Sequence, residues 1–394
     1  MQVQGFKAAA VAAGIRYADR LDLGMIFSTT PAVAAGVFTM NTVKAAPVLL
    51  DQQRLLTGKA QAVLVNSGNA NACTGQQGMD LAVATGSFAA KALNIDPGLV
   101  QIASTGVIGE QIKEEPFERA MPGLVKALSA DGFDDLAKAI MTTDLVPKIA
   151  TATIDVLGTE VSLLGVAKGS GMIMPNMATM LGFIVTDVAI EQPLLDQLLK
   201  VAVERSFNRI TVDGDTSTND MVLVMANGAA GNTALSDPNS EAVHDFAEAL
   251  NSICLDLARK IVVDGEGATK FVTIRVTGAE SEASAVQAAR TIANSALVKT
   301  AFFGEDANWG RIIAALGRSG CSFRQENVAI SFDAVQLVKQ GLFIGGDCEE
   351  EATKVMKQKA FDVTIDLGEG ECCGEVYTCD FSYDYVKINA DYRS

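Results

Sequence analysis

The chain has 394 residues, enough for two domains, and its 49% hydrophobic and 20% charged residues are typical of a globular protein with a large core. Its formal net charge of −16 argues against binding to a nucleic acid, which requires clustered Lys and Arg. The seven Cys are an odd number and include no C-x-x-C pair. They therefore predict buried reduced thiols rather than a disulfide framework or a zinc site.

The sequence predicts neither a signal peptide nor a membrane span. The apolar part of residues 1–16 is short and Ala-rich, and the basic region before it is thin. No run approaches the ~18 apolar residues that a membrane-spanning helix needs. We therefore expect a cytoplasmic protein.

The first part of the chain mixes predicted strands and helices. Two strand-like runs flank Pro31 between Met25 and Phe38. The further elements are strands at 62–68 and 100–104, helices at 80–93, 118–128 and 134–141, and two strands within 151–169.

The stretch from Lys168 to Asp187 is the most informative one. A Gly-rich turn leads through Pro175 and Ala178 to Thr179, and a nearly continuous apolar run follows. Such a run predicts a strand that is buried on both faces. We interpret Thr179 as a nucleophile at a new N-terminus, which the chain exposes by cutting itself after Ala178. The alternative is that Thr179 is only the first residue of a strand, where Thr is common.

The rest of the chain also mixes both kinds of element, which favours mixed sheets covered by helices. A new unit is predicted to begin near residue 280. The predicted helices are 191–205, 240–260, a long helix 279–300, and 309–317, and the predicted strands are 221–228, 328–333, 361–367, 374–379 and 383–389.

The single histidine limits the chemistry. His244 falls on a predicted helix among solvating residues, so we expect it at the surface, and a Ser–His–Asp or Cys–His arrangement is excluded. An N-terminal Thr supplies its own base, because an α-amine titrates near ~7.7–8.0 and can accept the hydroxyl proton.

Two loops resemble ligand-binding motifs only in composition. The segment 265–270 lacks the spacing of a phosphate-binding loop. The acidic segment 213–220 resembles a calcium loop, but Val224 stands where the twelfth-position Glu is required. We expect the acidic segment to be a turn whose side chains bind backbone N–H groups.

Eight segments together resemble the ornithine acetyltransferase (glutamate N-acetyltransferase) family of arginine biosynthesis, in order and over nearly the whole chain. They are VNSGNANACTG at 65–75, STGVIG at 104–109, MTTDLVPK at 141–148, KGSGMIMPNMATML at 168–181, FNRITVDGDTSTND at 207–220, DGEGATK at 264–270, NWGRI at 308–312 and YVKINADYRS at 385–394.

This resemblance implies an α+β fold, a layered α/β/β/α sandwich like that of N-terminal-nucleophile enzymes, with a smaller C-terminal α/β domain. The catalytic domain would span 1–280 and the second domain 281–394, whose tail returns to the active site. Self-cleavage at Ala178–Thr179 would give an α chain (1–178) and a β chain (179–394) in an α₂β₂ assembly.

The implied reaction moves an acetyl group from N²-acetylornithine to Thr179 and then to glutamate, without a metal or an organic cofactor. The sequence leaves open whether acetyl-CoA is also a donor. Thr105 and Gly106 would form the oxyanion hole. The implied substrate-binding residues are Thr142, Lys168, Thr179, Glu266, Asn389 and Ser394. Whether Thr142 or its neighbour Thr143 faces the substrate is open, because alternate residues on a strand point in opposite directions.

Two other classes remain to be distinguished. The first is an amidohydrolase or aminopeptidase of the related self-processing kind, in which water replaces glutamate, although those relatives typically expose Ser rather than Thr. The second is a binding protein without catalysis, which would stay uncut and give one band on a denaturing gel.

Overall fold

The computed structural model describes residues 1–174 and 180–390 of the chain. Ala178, Thr179 and Ser394 lie outside these residues. The fifteen strands of the described chain are β1 (Phe6–Val11), β2 (Leu23–Phe38), β3 (Lys59–Asn69), β4 (Val100–Val107), β5 (Lys148–Val156), β6 (Thr159–Lys168), β7 (Leu181–Thr186), β8 (Ile210–Thr211), β9 (Met221–Ala226), β10 (Phe271–Ala279), β11 (Ala329–Phe332), β12 (Val335–Lys339), β13 (Leu342–Phe343), β14 (Ala360–Asp366) and β15 (Cys372–Cys379).

Eleven α-helices accompany these strands in the same part of the chain. They are α1 (Ala46–Arg54), α2 (Gly75–Leu93), α3 (Glu115–Lys126), α4 (Phe133–Ala139), α5 (Gln192–Arg205), α6 (Glu241–Val263), α7 (Glu282–Ala293), α8 (Ala296–Phe303), α9 (Trp309–Gly317), α10 (Cys348–Met356) and α11 (Tyr383–Ala390). None of these helices is both long enough and apolar enough to cross a membrane.

The chain divides into two compact units, each with its own sheet. Unit 1 contains residues 1–169, 180–208 and 215–261, and unit 2 contains 170–174, 209–214 and 262–390. The predicted domains, 1–280 and 281–394, stay a prediction. A grouping by packing does not test whether a segment folds alone, which is what defines a domain.

The sheet of unit 1 has the order β4-β3-β2-β9-β7-β6-β5, and β1 pairs with β2. Successive residues of a strand point to opposite faces, so Met25 and Leu64 enter one apolar core while Ile26 and Val63 enter the other. Helix α4 covers the second core, and α2 and α3 cover the first. Burial on both faces explains the continuous apolar runs of β3, β7 and β9.

The sheet of unit 2 has the order β13-β12-β11-β14-β10-β15-β8. Its core includes apolar residues of α7, α9 and α10. Helix α7 begins at Ser281, whose hydroxyl accepts a hydrogen bond from the Ser284 N–H at 3.2 Å. With two mixed sheets packed against helices, the chain has the predicted α+β sandwich class.

Several predicted elements are confirmed, above all the buried strand that follows Thr179, which is β7. His244 is exposed on α6, as expected. The two runs around Pro31 form one strand, β2, with a shift in its pairing register to β3 between Phe27 and Ala32. All seven Cys lie in the described residues and none forms a disulfide, but the expected burial holds only for Cys254 and Cys379. The other five are half-buried or exposed: Cys321, Cys348 and Cys372 are half-buried, and Cys73 and Cys373 are exposed.

Two predictions in unit 2 are wrong. The predicted strand 383–389 is helix α11, whose half-buried residues, Tyr385 and Ile388, are three positions apart, which is the spacing of one helix face rather than of a strand. The predicted helix 279–300 is the end of β10 followed by α7 and α8. The break falls at Ser295, whose backbone is extended with φ −76° and ψ 112°, so that α7 ends before it and α8 begins after it.

Candidate active site

The structure places the predicted site residues at the ends of regular elements. In unit 1, Thr105 and Gly106 lie near the end of β4, Thr142 follows α4, and Lys168 is the last residue of β6. In unit 2, Glu266 lies in the loop between α6 and β10, and Asn389 lies in the last turn of α11. Ala178, Thr179 and Ser394 are outside the described residues.

Lys168 joins three predicted residues in unit 1. Its Nζ donates hydrogen bonds to Thr105 Oγ1 at 3.1 Å and to Thr142 Oγ1 at 2.9 Å. The Lys168 residue is only 9% exposed. A buried ammonium is costly unless acceptors replace its lost water, and these hydroxyls do so in part. Of the two neighbouring threonines, Thr142 therefore contributes its hydroxyl to this cluster.

Asp144 holds the cluster from behind. Its carboxylate accepts hydrogen bonds from the backbone N–H of Gly169 at 2.7 Å and of Thr142 at 3.1 Å. The same carboxylate forms an ion pair with Lys148 at 2.7 Å, and both side chains are 0% exposed. One carboxylate thus fixes the backbone beside Lys168 and that of Thr142.

The charge of Asp144 is maintained by its surroundings. Burial alone raises the pKa of the Asp144 carboxyl, but the positive charges of Lys168 and Lys148 and the hydrogen bonds to the carboxylate outweigh burial. The net effect is a pKa below its ordinary value. Asp144 is therefore ionised at neutral pH.

The end of β4 requires glycine at position 106. Gly106 has φ +133°, and a Cβ atom there would lie 2.2 Å from the carbonyl carbon of Gly68. Because Thr105 Oγ1 accepts a hydrogen from Lys168, its own O–H proton can be donated to another acceptor. A hydroxyl donor beside a glycine at a strand end is suited to stabilising an oxyanion.

Polar side chains hold the end of β4 in place through hydrogen bonds. Asn219 Nδ2 donates to the backbone oxygens of Ser104 at 2.8 Å and Ala70 at 2.5 Å. Ser104 Oγ donates to Asn66 Oδ1 at 2.6 Å, and Asn66 Nδ2 in turn donates to the Asn69 oxygen at 3.0 Å. These contacts explain why the segments at 65–75, 104–109 and 207–220 carry so many small polar residues.

In unit 2, Glu266 and Asn389 form a second cluster. Asn389 Nδ2 donates to Glu266 Oε2 at 2.7 Å and to the backbone oxygen of Tyr385 at 3.0 Å. Glu266 is buried. Helix α11 therefore delivers Asn389 to the Glu266 loop, although we predicted a strand for this segment.

The Glu266 loop is fixed at its far end. Asp380 accepts hydrogen bonds from the backbone N–H of Thr269 at 2.8 Å and of Lys270 at 2.9 Å. Gly267 has φ +68°, and a Cβ atom there would lie 2.4 Å from the Tyr385 nitrogen. The loop therefore packs directly against the start of α11.

The acidic segment 213–220 behaves as the predicted turn. The Asp213 carboxylate accepts hydrogen bonds from backbone N–H groups at 2.6 and 2.8 Å. Across residues 1–174 and 180–390, no group of three or more His, Cys, Asp or Glu side chains is arranged to hold a metal ion. The expectation of a reaction without a cofactor stays a prediction.

Sequence reasoning missed Asp144 and Asn219, which position the predicted residues. Each lies inside a segment that carried the family resemblance, and Asp144 stands four residues before Lys148. An isolated Asp–Lys pair at that spacing is usually a solvated surface pair. Only the fold shows that this one is buried.

These features define a mixed α/β protein in which threonine hydroxyls surround a buried ammonium at the end of β6. The model of the ArgJ family matches residues 7–394, and the chain belongs to this family. It is therefore an acetyltransferase of arginine biosynthesis.

Two curated relatives are similar to this chain over its full length. The "Arginine biosynthesis bifunctional protein ArgJ" of Desulfotalea psychrophila is 57% identical over 394 residues, which is 100% of both chains. The protein of that name from Geobacter sulfurreducens is 52% identical, again over 100% of both chains. A crystal structure of the Bacillus halodurans bifunctional protein argJ is similar with 46% identity and a TM-score of 0.50, covering 52% of this chain and 95% of that one.

Asp144→Asn should destabilise the protein in a pH-dependent way. The folded-state pKa of Asp144 lies below its unfolded value of about 3.9, so its carboxylate stabilises the fold above about pH 4. This stabilisation is lost as the pH falls through the folded-state pKa. The difference between the unfolding free energies of wild type and variant should therefore be largest at neutral pH and shrink in acid.

Urea denaturation at several pH values measures this difference. Asp135→Asn, at an exposed carboxylate, controls for the loss of one negative charge. A difference that stays constant or grows as the pH falls would contradict the charged, buried role of Asp144.

Proposed function

We propose that the protein moves the acetyl group of N²-acetylornithine to glutamate through an ester on Thr179, after cutting itself between Ala178 and Thr179. The observation that carries this proposal is the cluster of Lys168 with the hydroxyls of Thr105 and Thr142. Full-length membership of the ArgJ family supports the substrate class. On the basis of this cluster and this family, each predicted residue takes a role in cleavage, acetyl transfer or substrate binding.

Self-cleavage supplies the base that the site lacks. His244, the single histidine, is exposed on α6. The new α-amine of Thr179, with an ordinary pKa near ~7.7–8.0, takes the proton of its own hydroxyl. Without the cut, Thr179 has a peptide nitrogen, which is not a base.

The transfer then has two half-reactions. Thr179 Oγ attacks the acetyl carbonyl, and the Thr105 hydroxyl and the Gly106 N–H stabilise the oxyanion. The carbon–nitrogen bond breaks, the nitrogen of ornithine takes the proton that the Thr179 α-amine had accepted, and ornithine leaves. The amine of glutamate next attacks the Thr179 ester, the carbon–oxygen bond breaks, and the proton returns to the Thr179 hydroxyl. N-acetylglutamate is the product.

The other predicted residues bind the amino acid parts of the substrates. Lys168 attracts the α-carboxylate of the substrate, and the Thr142 hydroxyl orients that carboxylate. Glu266 attracts the ammonium of ornithine, and Asn389 holds the Glu266 carboxylate through the 2.7 Å hydrogen bond. Ser394 adds a hydroxyl and the terminal carboxylate. In the proposed working form, two α and two β chains assemble as α₂β₂ in the cytoplasm.

We also propose acetyl-CoA as a second donor, because the relatives are named as bifunctional proteins. Purified protein should form N-acetylglutamate from glutamate with either acetylornithine or acetyl-CoA. Formation with acetylornithine alone would make the enzyme monofunctional. Steady release of ornithine without glutamate would instead indicate the hydrolase alternative.

Thr179→Ala should leave one uncut chain without transferase activity, because it removes both the cleaving hydroxyl and the acetyl carrier. Wild type should give two bands on a denaturing gel, from residues 1–178 and 179–394. Thr179→Ser is the matched control and should still cut. Two bands from Thr179→Ala would refute the assignment of the nucleophile.

Thr105→Ala should lower kcat by about 10²–10³-fold, the usual effect of removing one oxyanion donor. KM should change little, because the oxyanion exists only in the transition state. Thr105→Ser keeps the hydroxyl and should retain most of the activity. Steady-state kinetics with acetylornithine and glutamate test this role, and an unchanged kcat in Thr105→Ala would remove Thr105 from the mechanism.

A further inference from the structure

Residues 170–174 form a short peptide that is held by the rest of unit 2. In the sequence, the next part of unit 2 begins only at residue 209. The peptide ends just before the segment that contains the proposed cleavage bond. The contacts of this peptide therefore affect how the proposed cleavage bond is positioned for self-cleavage.

The most direct contact comes from Asp213. Its carboxylate accepts the backbone N–H of Met172 at 2.6 Å and that of Ile173 at 2.8 Å. Met172 has φ +57°, a left-handed conformation that is uncommon outside glycine. Two hydrogen bonds to a charged acceptor hold the backbone in this unfavourable conformation.

The same peptide is attached to the strand that precedes Asp213. The backbone oxygen of Ile173 accepts the N–H of Val212 at 2.6 Å and the hydroxyl of Thr211 at 3.1 Å. Ile173 is 1% exposed. Thr211 belongs to β8, which pairs with β15, so the peptide is fixed to the sheet of unit 2.

The beginning of the peptide contacts the Glu266 loop. Ser170 Oγ donates to the backbone oxygen of Asp264 at 2.7 Å, and the Glu266 N–H donates to the Ser170 oxygen at 2.9 Å. Gly171 lies close to the Glu266 carboxylate: a Cβ atom there would lie 2.3 Å from its carboxyl carbon and would displace it. Both ends of the peptide are thus held.

A buried cation lies near Asp213. Burial lowers the pKa of Lys299, whereas Cys379, Asp380 and Asp213 act in the opposite direction. Its Nζ donates to Thr378 Oγ1 at 2.9 Å. The negative charge of Asp213 therefore has a buried positive charge in the same unit.

We propose that Asp213 is a positioning residue for self-cleavage: by binding the N–H groups of Met172 and Ile173, it fixes the peptide that leads into the Ala178–Thr179 bond. The inference rests on the proposed cleavage at this bond. A chain segment whose preceding residues are fixed samples fewer conformations than one whose preceding residues are free. Less entropy is therefore lost when the bond reaches its reactive geometry. After the cut, the same contacts hold the C-terminal part of the α chain on unit 2.

Asp213→Asn should slow self-cleavage of the full chain by about tenfold or more, which corresponds to about 1.4 kcal/mol or more in the barrier. An amide replaces one acceptor oxygen with a donor, so at least one backbone N–H loses its partner. The measurement follows the uncut band of freshly purified protein on denaturing gels over time.

Asp22→Asn is the matched control, because the buried Asp22 also binds two backbone N–H groups, those of Ala13 at 2.6 Å and Ile15 at 2.7 Å, and contacts neither residues 170–174 nor the Glu266 loop through them. It should cut at the wild-type rate. A merely structural role for Asp213 would make the two variants alike. Thr211→Val removes the hydroxyl that contacts the Ile173 oxygen at 3.1 Å and Asn294 Oδ1 at 2.6 Å, and it should slow cleavage severalfold even if Asp213→Asn fails to fold.

Three results overturn the inference: wild-type cleavage rates in Asp213→Asn, wild-type rates in Thr211→Val when Asp213→Asn does not fold, or equal slowing in Asp22→Asn. An uncut wild-type chain is a different result, because it refutes the proposed cleavage itself.

Discussion

The buried ammonium of Lys168 is the constraint on which the candidate site depends. Such a charge must be surrounded by acceptors, and the fold provides them from separate parts of unit 1: Thr105 near the end of β4 and Thr142 after α4. Asp144 adds the opposite charge and binds the backbone beside Lys168. The mixed sheet of unit 1 brings these distant segments together, and the same ammonium leaves the Thr105 hydroxyl proton available for an oxyanion.

Carboxylates that accept backbone N–H groups recur wherever the chain must be held in an irregular path. Asp144 does so in unit 1, and Asp213 and Asp380 do so in unit 2. Charged acceptors form stronger hydrogen bonds than neutral ones, so each fixes a loop that has no regular secondary structure. In the proposed mechanism, which uses no histidine, the precise placement of hydroxyl, amine and backbone groups replaces an imidazole.

The sequence predicted the residues that touch one another better than the elements that carry them. Composition and patterning identified the strand β7 and the exposed His244, and the resemblance identified Thr105, Thr142 and Lys168. Helix α11 was predicted as a strand, because so short a segment does not reveal which residues pack; in the structure Tyr385 and Ile388 are half-buried, and their spacing of three is helical. Asp144 was missed for a related reason: its burial depends on contacts with residues far away in the sequence, which no local pattern contains.

The proposed mechanism requires an acetyl ester on Thr179 of the β chain. The intact masses of both chains, measured after mixing the protein with acetylornithine and no glutamate, test it most directly. The account predicts that the β chain alone gains the mass of one acetyl group, and that added glutamate removes it. A β chain of unchanged mass after this mixing, or a gain of mass on the α chain, would contradict the proposed mechanism.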